Sequence, residues 1–368
     1  MEIRAITCGS DFDDSHEISG LGVFAKNLKN DFERDSLKVQ SLRFSTQYRG
    51  EGERTVEGAV DFEKQFLQAG FNYGSFGLLD CGEAKITEVL NGTQSVFASV
   101  AVAKGFEVDE HACLKAARVI KENSLSEKDG FANLKFSAVA NLPANSPFFP
   151  GSFHSGKIGF GIGCEFIDVI NETVGKAGAD EVFEALLSEL TLPLKKIELM
   201  AKEKAFEAGV EFYGIDVSIA PSPGRKNSIA FAIEKISGEK FGGPGTLAAC
   251  ALLTKVLKSI PVKQCGYSGL MLPVLEDSGL AERNREKAFG INDLLSFSAV
   301  CGTGLDTIPL PGDVSVEKLA KIVEDVAVLS SKLKKPLSAR LMPIPALREG
   351  EMTRYSFSYF ENSSVMKA

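Results

Sequence analysis

The side chains of this 368-residue chain best suited to chemistry stand at the ends of apolar runs. "GIGCE" closes on Cys164 and Glu165, and "GIDVSIAPSPG" carries Asp216. "GYSGLMLPVLEDSGL" reaches Glu276 and Asp277, and "FSAVCGTGLDTIPLPGD" holds Cys301 and Asp306. In α/β proteins, strand ends are where side chains from distant segments converge on one cavity while the backbone stays rigid. Carboxylates gathered there act as general acids and bases or bind a hard cation such as magnesium. Asp216 is the hardest to dismiss, because an ionised Asp inside an apolar run loses hydration that only a partner or a polar cavity restores. The others also have structural readings. Asp306 can satisfy turn donors, and Glu276 with Asp277 can open a helix, where negative charge suits the N-terminus.

Cys301 poses a similar choice. A buried cysteine is usually a small hydrophobe and becomes a nucleophile only where a donor or cation stabilises its thiolate. Of three histidines, His16, His111 and His154, the last is the acid-base candidate, placed in the Pro-rich stretch "NLPANSPFFPGSFHSG" (141–156) just before the run that ends in Glu165. His16 follows an acidic helix-capping stretch, "DFDDS", and His111 sits in an amphipathic helix. So few imidazoles argue against zinc. "FGGPGTLAAC" brings Gly243, Gly245 and Thr246 to a helix entry, where free backbone N–H groups can cradle a carboxylate or phosphate, although it is neither a P-loop nor G-x-G-x-x-G. No motif names a cofactor.

Positioning these groups requires strands. Ten apolar runs of strand length are expected: "EIRAITC", "KVQSLRFS", "FGLLD", "SVFASVAV", "LKFSAVAN", "IGFGIGCE", "YGIDVSIA", "CGYSGLML", "FSAVCGT" and "ARLMPI". Helices alternate with them. Ser315 caps an apolar stripe through Leu319, Ile322, Val323 and Val326, and residues 245–259 carry a second stripe stopped by Pro261. Residues 54–69 and 108–122 form further amphipathic helices. Pro193 should split "ADEVFEALLSELTLPLKKIELMAKEKAFEAG" into two. No linker divides the chain, so one α/β domain over 1–368 is expected, with 141–156 as an irregular loop over one end.

Acidic residues outnumber basic ones, 49 to 41, for a net charge of −8, which argues against a nucleic-acid partner. The opening "MEIRAITCGS" does not read as a targeting leader, and the most apolar helix is interrupted by Lys255 and Lys258, so a membrane partner is not expected. Seven scattered cysteines without C-x-x-C spacing fit a reducing cytoplasm. A homodimer is the base expectation for assembly.

Five blocks, "GIDVSIAPSP", "GGPGTLAACALL", "GYSGLMLPVLEDSGL", "SAVCGTGLDTIPLPGD" and "ARLMPIP…GEMTRY", occur in this order over residues 214–355. Together they resemble the domain of unknown function 711 family. The resemblance implies a pyruvate-formate-lyase-like fold, the ten-stranded α/β barrel of the glycyl radical enzymes, built from two antiparallel halves. It does not bring the radical with it, because the tail "REGEMTRYSFSYFENSSVMKA" lacks the Arg-Val-x-Gly-aromatic run of those enzymes. The resulting expectation is an enzyme that holds a small anionic metabolite in the barrel cavity. Asp216, Glu276, Asp277, Asp306, Glu165 and His154 would supply acid-base or metal-binding groups, Cys301 a nucleophile, and Gly243 to Thr246 an anion cradle. The alternative is a non-catalytic binding or regulatory protein on the same fold.

Overall fold

The structure, a computed structural model, describes residues 1–11, 15–47, 56–126 and 129–368. The acidic stretch expected to cap the helix before His16, residues 12–14, and the start of the helix expected from residue 54 lie outside them.

The first part alternates strands and helices: β1 (Glu2–Gly9), α1 (Ser15–Arg34), β2 (Leu42–Ser45), α2 (Val56–Gln68), β3 (Tyr73–Leu78), α3 (Glu83–Gly92), β4 (Val96–Lys104), a short β5 (Glu107–Val108), α4 (Glu110–Ser126) and β6 (Phe136–Ala140). β1, β2, β3, β4 and β6 pair in parallel in that order, and β5 folds back on β4. Parallel neighbours need crossovers, which the helices supply while packing against the strands. The second part runs β7 (Gly159–Glu165), α5 (Ile167–Val174), α6 (Val182–Ala208), β8 (Glu211–Asp216), α7 (Ile229–Ser237), α8 (Thr246–Ser259), α9 (Ser278–Arg285), α10 (Ile291–Val300), β9 (Gly304–Pro311), α11 (Val316–Leu333) and β10 (Leu337–Ile344). β7 pairs with β8 and β9 with β10 in parallel, whereas β7 meets β1, and β10 meets β6, antiparallel.

The result is a mixed α/β fold around one ten-stranded sheet, ordered β8-β7-β1-β2-β3-β4-β6-β10-β9 with β5 beside β4. Its path ends at β8 and β9 and does not close. Residues 264–273 run between those ends. They make isolated parallel bridges, Gln264 to Ile215 and Leu270 to Ile219 on one side, Leu270 to Gly302 and Pro273 to Asp306 on the other. Apolar residues from both parts join in one main core, and Leu275, Met342, Ile344, Tyr355, Phe360 and Val365 form a smaller one under the C-terminal stretch. Among the described residues, no helix is long and apolar enough to cross a membrane.

Three expectations need correction. "FSAVCGT" is no strand: residues 291–300 form α10, Cys301 is its C-cap, and the strand β9 starts only at Gly304. A short apolar run suits a buried helix as well as a buried strand, and periodicity alone does not separate them. "CGYSGLML" is extended but joined to its neighbours only by the isolated bridges. Pro193 does not split α6, which continues for 27 residues. Its buried row of Leu186, Leu190, Leu194, Ile197, Ala201 and Ala205 holds the helix against the core across the missing hydrogen bond. The helices capped by Ser315 and stopped before Pro261 are as expected, with the Ser315 hydroxyl accepting from the Lys318 N–H.

Candidate functional site

A cavity of about 570 Å³ opens against β1, β2, β9, β10 and the 141–156 loop. The loop comes close because the strands beneath it carry small residues. A Cβ on Gly163 would lie 2.9 Å from the Phe148 ring, and one on Gly9 would lie 2.8 Å from His154 Nδ1. Hydroxyls then fix the loop. Ser75 donates to the Ser152 carbonyl at 2.6 Å, Thr7 donates to that of Pro147 at 2.8 Å, and the Ser152 and Ser45 hydroxyls meet at 2.9 Å. Phe148, Phe149, Pro150 and Gly151 become one wall of the cavity.

The charged residues of the wall are Arg4, Arg43, Lys135, Glu276, Asp306 and Arg340, four cations against two carboxylates. Two slips in strand register aim several of them. Ile3 pairs with Cys164 and Ala5 with Gly163, which leaves Arg4 as an extra residue on β1. Ala339 pairs with Leu305 and Leu341 with Ile308, so Asp306 and Thr307 together oppose Arg340. Such bulges re-aim side chains at the cost of local ladder bonds, and Thr307 takes a positive φ of 44° there.

Arg340 clamps both carboxylates: its Nε donates to Asp306 Oδ1 and its terminal nitrogen to Glu276 Oε1, each at 2.6 Å. Arg4 donates to Glu165 Oε2 at 2.7 Å and approaches Glu276 Oε2 at 3.8 Å. Burial pushes the Glu276 carboxyl above its ordinary range, with Arg340 and Arg4 opposing and Asp306 reinforcing the shift. Burial works against the charge of Arg340, but Asp306 and Glu276 outweigh it and hold its pKa above the usual value.

Arg43 differs from the other two arginines. Its Nε donates to the Ser41 hydroxyl at 3.0 Å, and its guanidinium lies over the Phe149 ring at 5.2 Å and the Tyr73 ring at 6.0 Å. Among the described residues no carboxylate pairs with it. Burial, then the neighbouring Arg4, push its pKa down to about 9, with Tyr73 and the Glu276 carboxylate opposing. A guanidinium keeps its proton in proteins, so the stress is a demand for a counter-anion.

The structure brings Glu276 and Asp306 to the cavity and leaves the other sequence candidates off its wall. Glu165 stands behind Arg4 and also accepts from Ser222 at 2.8 Å. Asp216 is fully buried and accepts four hydrogen bonds, from the N–H groups of Ser218, Tyr267 and Ser268 and from the Ser218 hydroxyl. It locks the end of β8 to the 264–273 stretch, and burial raises its pKa. Asp277 accepts from Leu280 N, Ile229 N and the Ser228 hydroxyl, so one carboxylate ties the starts of α9 and α7, while burial pushes it up to about 6. Cys301 is buried, its thiol pushed up to about 11 by burial with Lys335 opposing. Cys164 is likewise buried on β7, and burial pushes its thiol up to about 12. His154 is buried with Nδ1 3.3 Å from the Tyr213 hydroxyl. The Gly243–Thr246 entry closes on itself, because the Thr246 hydroxyl accepts from Gly242 N at 3.0 Å. Among the described residues, no three of His, Cys, Asp and Glu gather in a way that would hold a metal ion.

Strand-end acids and thiols do not point to Arg4, Arg43 or Arg340. The signal for them was of the same kind as for Asp216: each is a charged residue inside an apolar run, "EIRAITC", "SLRFS" and "SARLMPI".

A family model described as "Uncharacterised ACR (DUF711)" matches residues 56–357. A UPF0210 protein of Methanopyrus kandleri is 32% identical over 295 residues, 77% of this chain and 64% of its own length. Another, of Pyrobaculum aerophilum, is 33% identical over 303 residues, 78% and 64%. A third, of Carboxydothermus hydrogenoformans, is 34% identical over 306 residues, 78% and 66%. The chain thus spans just under two thirds of the length of these relatives.

Proposed function

This chain belongs to the uncharacterised ACR (DUF711) family, and from that premise we propose that it is an enzyme that binds a small anionic metabolite in the Arg43 cavity. The carrying observation is Arg43 itself, a cation on the cavity wall with no carboxylate partner among the described residues. Three further cations on that wall favour the same charge of ligand. Glu276 and Asp306 are the acid-base pair of this reading, with Glu276 as the acid because burial favours its protonated form. Magnesium fits the pair poorly, since the Arg340 guanidinium already occupies the position between the two carboxylates. The barrel belongs to the same proposal, with residues 264–273 completing the ring between β8 and β9 through their isolated bridges. Seven scattered cysteines without C-x-x-C spacing support a cytoplasmic setting.

A non-catalytic binding protein is the second reading, favoured by the tight hold of Arg340 on one oxygen of each carboxylate. Thermal shift against inorganic sulfate and a panel of organic anions tests the common core of both readings. Wild type is stabilised by ligand and Arg43→Gln is not; equal stabilisation of the two overturns the proposal. With a ligand identified, Asp306→Asn and Glu276→Gln separate the readings. Turnover that falls while binding persists supports the enzyme, and binding without turnover in wild type supports the second reading.

A further inference from the structure

Resting on the reading of this cavity as an anion site, we infer that its ligand is an organic anion with a planar aromatic body: a phosphate or carboxylate head on Arg43 and a ring lodged among the aromatic side chains of the wall. The volume gives the first reason. About 570 Å³ falls in the roughly 300–1,000 Å³ range that encloses whole organic ligands, so a lone inorganic anion at Arg43 would leave most of the space unfilled.

The lining gives the second reason. Tyr73, Phe97 and Phe149 touch in series, with ring centroids 5.8 and 5.4 Å apart, and Arg43 lies over the first and last of them. A head group on Arg43 therefore has aromatic faces and edges directly beside it. A second group of rings, Phe131, Phe357 and Tyr359, also lines the cavity, with centroid spacings of 5.1 and 5.5 Å. Tyr73, Phe357 and Tyr359 are 40%, 36% and 49% exposed. Large rings held at the mouth of a charged cavity are where a flat apolar body gains most from leaving water. Aromatic pairs prefer offset or edge-to-face contact, which a planar ring can make and a puckered one cannot match.

Isothermal titration at pH 8 with methyl, cyclohexyl and phenyl phosphate tests this, the three sharing one head group. Phenyl phosphate is expected to bind about tenfold tighter than methyl phosphate and several-fold tighter than cyclohexyl phosphate. The phenyl-to-methyl ratio is expected to shrink toward one in Phe149→Leu and to fall by a smaller factor in Phe357→Leu, whose exposed position makes misfolding a poor explanation. Equal affinity for methyl and phenyl phosphate, with both weakened in Arg43→Gln, overturns the aromatic body and leaves the anion site standing. Cyclohexyl phosphate binding as tightly as phenyl phosphate also overturns it, in favour of any apolar body. Failure of all three and of benzoate to bind, or binding by Arg43→Gln equal to wild type, overturns the anion site itself. A carboxylate head is distinguished by benzoate outcompeting phenyl phosphate.

Discussion

Asp216 and Asp277 stand at two segment junctions and Glu276, Asp306, Arg340 and Arg43 on the cavity wall, two kinds of region in which charged groups are withdrawn at least in part from water. In the first region every carboxylate is met by backbone N–H groups and hydroxyls: four hydrogen bonds for Asp216, three for Asp277. Those donors belong to segment junctions, so the carboxylates tie β8 to the 264–273 stretch and α7 to α9. In the second region charge is matched by charge, through Arg340 and Arg4, and the balance on the cavity wall stays on the positive side, with Arg43 paired to no carboxylate among the described residues. Burial of an ionisable group is therefore common to both regions. What separates the two is whether the hydrogen-bonding capacity of the charge is already used up, and the proposed function rests on that difference.

The sharpest way to break this comparison is to remove a fully used carboxylate. Asp216→Ala leaves three backbone N–H groups and a hydroxyl unsatisfied in the interior and is expected to cost about 3–5 kcal/mol in denaturant unfolding. Asp277→Ala acts on two helix starts and is expected to cost about 2–4 kcal/mol. A loss below about 1 kcal/mol for both would erase the distinction. The cavity should behave in the opposite way. Arg43→Gln is expected to leave stability within about 1 kcal/mol of wild type, or to raise it, because it removes a half-buried charge that lacks a carboxylate partner among the described residues. The same change should weaken sulfate binding by about tenfold or more.

Glu276 sharpens the comparison through pH. Its folded pKa is raised, so the native chain holds its proton where the unfolded chain, near the ordinary value of about 4.3, has lost it. The destabilisation from its buried charge is absent below that ordinary value and grows as pH rises through the raised range. The protonated form also removes a negative charge from beside the anion. Sulfate, which does not titrate here, is thus expected to bind several-fold tighter as pH falls through that range, and Glu276→Gln should flatten the dependence. A flat wild-type profile would argue that Glu276 does not face the ligand. The smallest effect belongs to Cys301. Its buried thiol, pushed up to about 11, should react with a thiol reagent only on unfolding, and Cys301→Ala should change stability by about 1 kcal/mol and sulfate binding not at all.

Much of the fold was legible because it depends on local pattern. The stripes of α8 and α11, the Ser315 cap and the strands β1, β4, β7 and β10 follow from apolar periodicity and stop signals that lie within a few residues of each other. "FSAVCGT" failed because seven apolar and small residues suit α10 as well as a strand, and only packing beside α8 and β9 chose the helix. Pro193 failed because a strong tertiary row overrode a local breaker. In the candidate site, Glu276 and Asp306 were legible as acids beside apolar runs, although Asp306 lies inside β9 and not after the strand expected to end in "FSAVCGT". Their arginine partners were not, because a search for acids and thiols passes over cations in the same kind of run.

The amino-acid order alone determined the α/β class, several helices and the presence of isolated charges inside apolar runs, since each depends on neighbours in sequence. Which of those charges meet one another was settled only in three dimensions. Extra residues at Arg4 and at Asp306–Thr307 turn side chains by register, and small residues such as Gly9 and Gly163 admit a loop from far along the chain. Both effects are relations between strands, and no single segment carries the information for them.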